Sequence, residues 1–220
     1  MKKYLLILLS ALMMVSLTPF HIFAGEIESD YSSDPVVVYS PEDDRTYMIK
    51  VYDHSSEIYD YDTLELLATM TVSTDELYIA PIEPRSLITP GDSLNATPDD
   101  YESWTSYYYV TRDDFHIDGL TSLTVYALQL LIENYYGAGW VNTLFELATM
   151  IKSNSVEDGY ALIYRSTNIY CSILIKEKYN FYKNNGSFLK TEYKNPRWLG
   201  SPYDYTQPNA CRVLVNRYTY

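Results

Sequence analysis

The densest group of titratable side chains in this sequence surrounds one histidine. Asp113, Asp114, His116 and Asp118 lie close together along the chain. A histidine flanked by carboxylates can act as a general base or bind a transition metal, because the neutral imidazole carries a free lone pair near neutral pH. The structural alternative is that Asp118 caps a following helix while its neighbours interact with the helix dipole. No second ligand-rich cluster accompanies them, so we favour the structural role and keep Asp113, His116 and Asp118 as candidate catalytic residues.

A second acidic group, formed by Asp60, Asp62 and Glu65, lies in a predicted turn. Oxygen-rich loops of this kind bind calcium, but calcium needs about 6–8 oxygen ligands, more than these three side chains supply. The EF-hand pattern is also missing, because neither its glycine nor its final glutamate is present. A solvated acidic turn is therefore the favoured interpretation, with Asp60, Asp62 and Glu65 as the candidate metal ligands.

The sequence contains no established catalytic or cofactor motif. It lacks the Gly-x-Ser-x-Gly elbow of serine hydrolases, the His-Glu-x-x-His helix of zinc proteases and the glycine-rich phosphate loop. The enzymes that stay compatible with the composition use paired carboxylates, as many glycosidases do. We therefore predict no cofactor and favour a protein without enzymatic activity.

Tyrosine is the unusual component of the composition, at 25 of 220 residues. A tyrosine ring offers an apolar face and a polar tip, which suits sugar stacking or protein contact at a low cost in conformational entropy. Strand tyrosines can equally be packing residues, because tyrosine has a high β-propensity. From the aromatic residues of the second half we select as candidate binding residues Trp104, Tyr108, Trp198, Tyr203 and Tyr205.

The first 24 residues have the features of an export signal. Lys2 and Lys3 precede an apolar run over residues 5–15, and Ala24 is a small residue suited to cleavage by signal peptidase. The apolar run is shorter than the ~20 residues that a membrane-spanning helix needs, which makes an anchor the weaker alternative. We predict a secreted, extracellular protein, and in an oxidising compartment Cys171 and Cys211 are expected to form a disulfide rather than stay as free thiols.

The charge distribution limits the classes of partner. The chain has a formal net charge of −13, and most of its acidic residues lie in residues 25–120, whereas residues 121–220 carry a weak positive charge. A strongly acidic protein repels nucleic acid. We therefore predict no nucleic-acid partner, and consider a cell-envelope glycan, a membrane or a surface protein as possible partners.

Hydrophobic periodicity predicts both strands and helices. Strand patterns occur before residue 80, over residues 104–110 and again from residue 160, and they include a last strand over residues 211–218. Helical patterns cover residues 120–135 and 141–151, with glycines between them. We predict an α+β fold in which antiparallel β segments flank a central helical hairpin, closed by one disulfide. The predicted organisation is a signal peptide (1–24), an acidic β-rich region (25–80), a proline-rich linker or loop (81–98) and a tyrosine-rich α+β C-terminal domain (99–220).

Three functions are compatible with these features. The favoured hypothesis is a secreted, non-enzymatic binding protein of a bacterium that acts at a cell surface through an aromatic patch. The alternative is a large bacteriocin or toxin-like antagonist whose apolar helical hairpin inserts into a membrane. The third is a secreted hydrolase that uses carboxylates.

Overall fold

The computed structural model describes residues 34–75 and 97–218, and all of these belong to one compact unit, residues 31–220. The predicted signal peptide (1–24) and residues 81–96 of the predicted proline-rich linker (81–98) lie outside the described residues. The linker's last residue, Pro98, begins a short 3-10 helix, Pro98–Tyr101.

An antiparallel sheet of eight strands dominates the described part of the chain. The strands pair in their order along the sequence, each with the next. They are β1 (Val36–Ser40), β2 (Arg45–Val51), β3 (Ser55–Asp60), β4 (Leu66–Thr74), β5 (Tyr108–Asp118), β6 (Asp158–Thr167), β7 (Leu174–Lys183) and β8 (Phe188–Trp198).

Alternation along the strands gives the sheet two different faces. In β2, Tyr47, Ile49 and Val51 are buried, while the residues between them are less buried. Successive side chains of a strand point to opposite faces, so this pattern directs every second residue into one core. Strand β6 follows the same rule, with Ala161 and Ile163 facing that core. We call the side with the core the covered face, and the opposite side, where the described residues place neither of the two long helices, the uncovered face.

Two helices lie on the covered face. Helix α1 (Val125–Tyr136) and helix α2 (Phe145–Ser153) share one hydrophobic core with the inward residues of the strands. Thr124 caps α1, because its hydroxyl accepts a hydrogen bond from the backbone N–H of Ala127 at 3.1 Å. The Ser56 hydroxyl of β3 donates to the backbone carbonyl of Leu131 at 3.3 Å, which fixes α1 against the sheet.

The predicted fold class is wrong. The described structure is mostly one antiparallel sheet, with 45% strand and 21% helix, and no central helical hairpin separates two β segments. Strands β5 and β6 pair directly although both helices lie between them in the chain, so all strands join one sheet. This pairing joins residues far apart in sequence, which local periodicity cannot reveal. The predicted strand over residues 211–218 is also wrong, because Asn209–Leu214 forms a helix, α3.

The helices pack on the sheet and do not resemble membrane spans. No helix within residues 34–75 and 97–218 is long and apolar enough to cross a membrane. Leu128 and Leu131 of α1 are fully buried in the core that α1 shares with the sheet.

A second, smaller core surrounds the disulfide. Cys171 and Cys211 are bonded, as predicted, and their Cα atoms are 5.1 Å apart. The bond joins the segment before β7 to α3. The buried residues around it are Tyr101, Cys171, Leu174, Ala210, Cys211 and Leu214, with Trp104, Trp198 and Tyr218 packed beside them. This core holds α3 and the 3-10 helix Pro98–Tyr101 beside the disulfide.

A buried lysine joins the end of α1 to the edge strand β8. The Lys194 ammonium donates a hydrogen bond to the carbonyl of Tyr136, the last residue of α1, and lies 4.9 Å from the centroid of the Trp140 ring. The backbone adds to this junction, since the Val141 N–H donates to the carbonyl of Tyr193 at 2.8 Å. Burial lowers the pKa of Lys194 to about 8.

Loss of the disulfide is expected to destabilise the protein. The bond closes a loop with a sequence separation of 40 residues, which corresponds to about 3–4 kcal/mol in the chain-entropy model. We expect the double variant Cys171→Ser/Cys211→Ser to lose this amount in urea unfolding, and reduced wild type to match it. Two alkylatable thiols in the native, non-reduced protein, or unchanged stability after reduction, would contradict the prediction.

The lowered pKa of Lys194 predicts a specific pH dependence of stability. Between the folded pKa of about 8 and the usual value of about 10.4, the unfolded chain binds more protons, so stability gains with rising pH. We expect the unfolding free energy of the wild type, relative to Lys194→Met, to rise between neutral pH and the upper end of this interval. Lys183→Met is the control, because its ammonium bonds Asn154 at the surface. An equal pH dependence in wild type and Lys194→Met would contradict the assignment.

Candidate functional site

An open groove lies on the uncovered face, at the end of the sheet where β5 ends and β6 begins. Its volume is about 520 Å³. Polar side chains from four strands and two turns converge there because the antiparallel register places His116 opposite both Thr71 and Asp158. We call it the histidine groove; its lining includes His54, Ser55, Thr71, Ser73, Asp114, His116, Asp158 and Asn184.

His116 is held between two carboxylates. Its Nδ1 lies 2.8 Å from Oδ1 of Asp158, and its Nε2 lies 3.2 Å from Oδ1 of Asp118. The hydrogen bond to Asp158, supported by that to Asp118, raises the pKa of His116 above its ordinary value. In the protonated state both ring nitrogens donate, so neither has a free lone pair to accept a proton or bind a metal.

The structure separates the predicted catalytic residues. Asp113 lies on the covered face and accepts a hydrogen bond from the Thr74 hydroxyl at 2.9 Å, while His116 lies on the uncovered face. Burial raises the pKa of the Asp113 carboxyl. Asp118 ends β5 and bonds His116, so it does not cap α1, a role that Thr124 performs. Asp113 and His116 point to opposite faces because successive side chains of a strand alternate. The sequence pattern instead predicts that this segment leads directly into a helix.

The predicted acidic turn between β3 and β4 has a structural use. Oδ1 of Asp60 accepts hydrogen bonds from the backbone N–H groups of Asp62 and Thr63 at 3.1 and 3.0 Å, and from the Thr63 hydroxyl. These bonds lower the pKa of Asp60. The backbone N–H of Glu65 donates a hydrogen bond to the Thr63 hydroxyl oxygen at 3.3 Å. Within the described residues no group of three or more histidine, cysteine or acidic side chains is arranged to hold a metal ion.

The predicted aromatic residues do not form one surface. Trp104 and Trp198 pack beside the disulfide core, and the Trp198 indole N–H donates to the carbonyl of Tyr218 at 3.1 Å. The hydroxyl of Tyr108 is hydrogen bonded to that of Thr167 at 3.2 Å. Tyr203 and Tyr205, which follow β8, are exposed, with Tyr205 90% accessible to solvent.

A different set of aromatic residues forms an array of two groups on the uncovered face. The Tyr160 and Tyr182 rings stack with centroids 5.0 Å apart, and Tyr182 contacts Phe188 at 5.5 Å. A second group lies further along the strands, where the ring centroids of Tyr109 and Tyr164 are 6.0 Å apart. We call the array the tyrosine face; it consists of Tyr107, Tyr109, Tyr160, Tyr164, Tyr182, Phe188 and Tyr193.

Strand register explains how these rings meet. Tyr160 stands opposite both Asp114 and Tyr182, and Tyr164 stands opposite Tyr109 and Lys178. The array therefore begins directly beside the histidine groove, since Asp114 lines the groove. The sequence signal that could have found it is the alternation within β6 and β7, which places Tyr160 and Tyr164, and Lys178 and Tyr182, on the face opposite the buried residues.

Two cations are held against the rings. The Arg112 guanidinium lies 4.0 Å from the centroid of the Tyr160 ring and also donates to the Asp114 carboxylate. The Lys178 ammonium lies 4.5 Å from the Tyr164 ring and 5.1 Å from the Tyr107 ring. These cation–π contacts restrict the orientations of the rings. They also place charged groups between the aromatic side chains of the face.

The raised pKa of His116 can be tested through its partners. We expect Asp158→Asn to lower the pKa of the His116 imidazole, as measured by NMR titration. Asp118→Asn should lower this pKa less, because the distance between Asp118 and the imidazole is longer. The wild-type pairing stabilises the fold below the ordinary histidine pKa and loses this effect as pH rises through the raised value. The size is below about 1 kcal/mol because the site is exposed. An unchanged titration in Asp158→Asn would contradict the pairing.

Comparison with protein-family models, with curated proteins and with solved structures finds no match to this chain.

Proposed function

We propose that this protein is a non-enzymatic binding protein and that the tyrosine face, together with the histidine groove, is its binding surface. The observation that carries the proposal is a set of seven aromatic residues on one sheet face, each of which contacts at least one other ring of the set. Within the described ranges, α1 and α2 both lie on the opposite face. The rings stay accessible, since Phe188 is 54% exposed and Tyr193 is 42% exposed. Exposed apolar patches of this kind are typical of interaction sites.

The chemistry of the groove supports binding rather than catalysis. Both nitrogens of His116 are engaged by carboxylates, so the imidazole is poorly placed to take a proton from a substrate. No hydrogen bond joins His116 to a serine or threonine hydroxyl in the part of the chain that the structure describes. The carboxylates of Asp118 and Asp158, held by His116, instead offer oxygen acceptors for the hydroxyl groups of a ligand.

An extracellular location belongs to the same proposal. The N-terminal sequence has the features of an export signal, and the bond between Cys171 and Cys211 is compatible with an oxidising compartment. The antagonist hypothesis has no comparable support. Membrane insertion would require α1 to leave the sheet and expose Leu128 and Leu131, which are fully buried.

A binding assay with matched variants tests the proposal. We expect the full-length protein to bind saturably to an insoluble cell-envelope fraction of bacterial or host cells. The double variant Tyr160→Ala/Tyr182→Ala should bind at least about tenfold more weakly, because each lost aromatic contact contributes roughly 0.5–1.5 kcal/mol beyond the area that it buries.

Tyr205→Ala is the matched control, because Tyr205 is exposed and is no part of the tyrosine face. It should bind as the wild type does, and thermal unfolding should show that all three proteins are folded. Equal binding by the double variant and the wild type, or loss of binding in Tyr205→Ala alone, would overturn the proposal.

A further inference from the structure

We infer that the ligand of the tyrosine face is an uncharged polysaccharide, whose chain lies along the strands from the histidine groove across Tyr160 and Tyr182 to Tyr109, Tyr164 and Tyr193. This inference rests on the proposed function and adds the chemical class and the direction of the ligand. Three properties of the surface carry it: its length, its alternation of stacking and hydrogen-bonding groups, and its charge balance.

The surface is long enough for several sugar units. Along β6, Asp158, Tyr160, Leu162 and Tyr164 all belong to the uncovered face. At ~3.3 Å per residue, the distance from Asp158 to Tyr164 is about 20 Å. The two aromatic groups, at Tyr160 and at Tyr164, are about 13 Å apart by the same measure. One sugar ring cannot contact both groups, whereas an oligosaccharide can.

The order of the groups along this surface matches the chemistry of a sugar chain. A sugar ring presents an apolar C–H face, which packs on an aromatic ring, and a rim of hydroxyls that need hydrogen-bonding partners. Between the two aromatic groups lie Asn180 and Thr191, opposite each other on β7 and β8. The Thr191 hydroxyl donates to the Asn180 amide oxygen at 2.8 Å, which orients the Asn180 amide N–H groups for a ligand.

The histidine groove extends the same surface with further hydrogen-bonding groups. Carboxylates and an amide from Asp114, Asp158 and Asn184 line it, together with the hydroxyls of Ser55, Thr71 and Ser73. Oxygen acceptors and amide donors of this kind bind neutral hydroxyl-rich ligands. The buried centre of a protein–protein interface is typically apolar, but between the aromatic groups the described strands place polar residues, with Leu162 the aliphatic one.

The charge balance favours a ligand without charge. Asp114 is paired with Arg112, and Asp118 and Asp158 share His116. Lys178 is held between two tyrosine rings. Among the described residues, the cations of this surface are each held by a carboxylate or by an aromatic ring and do not form a row for a polyanion. The net charge of −13 also repels a polyanion at long range. A neutral glycan satisfies the stacking and hydrogen-bonding groups without adding a charge.

Titration with defined neutral glycans tests the inference. The probes are oligosaccharides of cellulose, chitin, mannan and β-1,3-glucan, each from the monosaccharide to the hexasaccharide. Their binding to the full chain is measured by calorimetry. We expect one series to bind with an affinity that rises with chain length until the ligand reaches both aromatic groups. Monosaccharides should bind at least about tenfold more weakly, because they contact a single stacking group.

The variants separate the parts of the surface. Tyr164→Ala should lower the affinity for the longest oligosaccharide several-fold and leave the binding of the shortest almost unchanged, if the short ligand occupies the groove and the Tyr160 end. Asn180→Ala should weaken long ligands by a smaller factor of about two to ten, as expected for one lost hydrogen bond. Tyr205→Ala serves again as the control and should bind all ligands as the wild type does.

Two negative results have different meanings. If no neutral oligosaccharide binds, while binding to the envelope fraction still depends on Tyr160 and Tyr182, the binding surface stands and the polysaccharide ligand is overturned. Loss of that envelope binding after protease treatment would identify a protein partner, and loss in moderate salt a charged polymer; either also overturns the inference. If Tyr160→Ala/Tyr182→Ala does not weaken envelope binding, the proposed function itself fails.

Discussion

The pairing of β5 with β6 is the interaction on which the rest of the structure depends. These strands join the two halves of the sheet although the segment containing α1 and α2 separates them in the chain. Two glycines bound this segment. A Cβ on Gly119 would lie 2.4 Å from the Leu67 carbonyl oxygen, and one on Gly159 would lie 2.4 Å from the Phe115 ring. The close approach of strands and ring at these points therefore requires glycine.

Because the inserted segment leaves and rejoins the sheet at one end, its helices cover a single face. The apolar side chains of the strands point to that face, where they form the core with α1 and α2. Some charged side chains are buried there as well, and each needs an oppositely charged or hydrogen-bonding partner. Glu177 is 3% exposed and accepts hydrogen bonds from Arg165 and Arg197, which lower its pKa in spite of burial. Removing one partner of such a group leaves an uncompensated buried charge. Among the described residues, the buried charged side chains lie on the covered face. The tyrosines of the opposite face therefore have no buried charge to compensate.

Sequence reasoning succeeds where the decisive interaction is local. The run Asn184-Asn185-Gly186 has the composition of a tight hairpin turn, and the structure places there the hairpin between β7 and β8, with Gly186 at a φ of +83°. The disulfide was predicted from the cysteine count and an oxidising compartment. The sheet was not predicted, because the β4–β5 and β5–β6 pairings join distant residues. The helix Asn209–Leu214 was predicted as a strand because its apolar residues also alternate, and packing around Cys211 decides between the two.

The candidate site shows the same limit for a different reason. Trp104 and Trp198 were selected as aromatic rings that could contact a ligand, but large aromatic residues also fill cores, and both pack beside the disulfide. The tyrosines of β6 were visible in sequence, yet their grouping depends on which strands lie beside β6. Once those neighbours are known, the array has a physical meaning beyond exposure. Cross-strand stacking and the cations of Arg112 and Lys178 hold the rings in place before any ligand arrives. A surface ordered in this way loses little side-chain entropy on binding, which allows weak individual contacts to sum to a useful affinity.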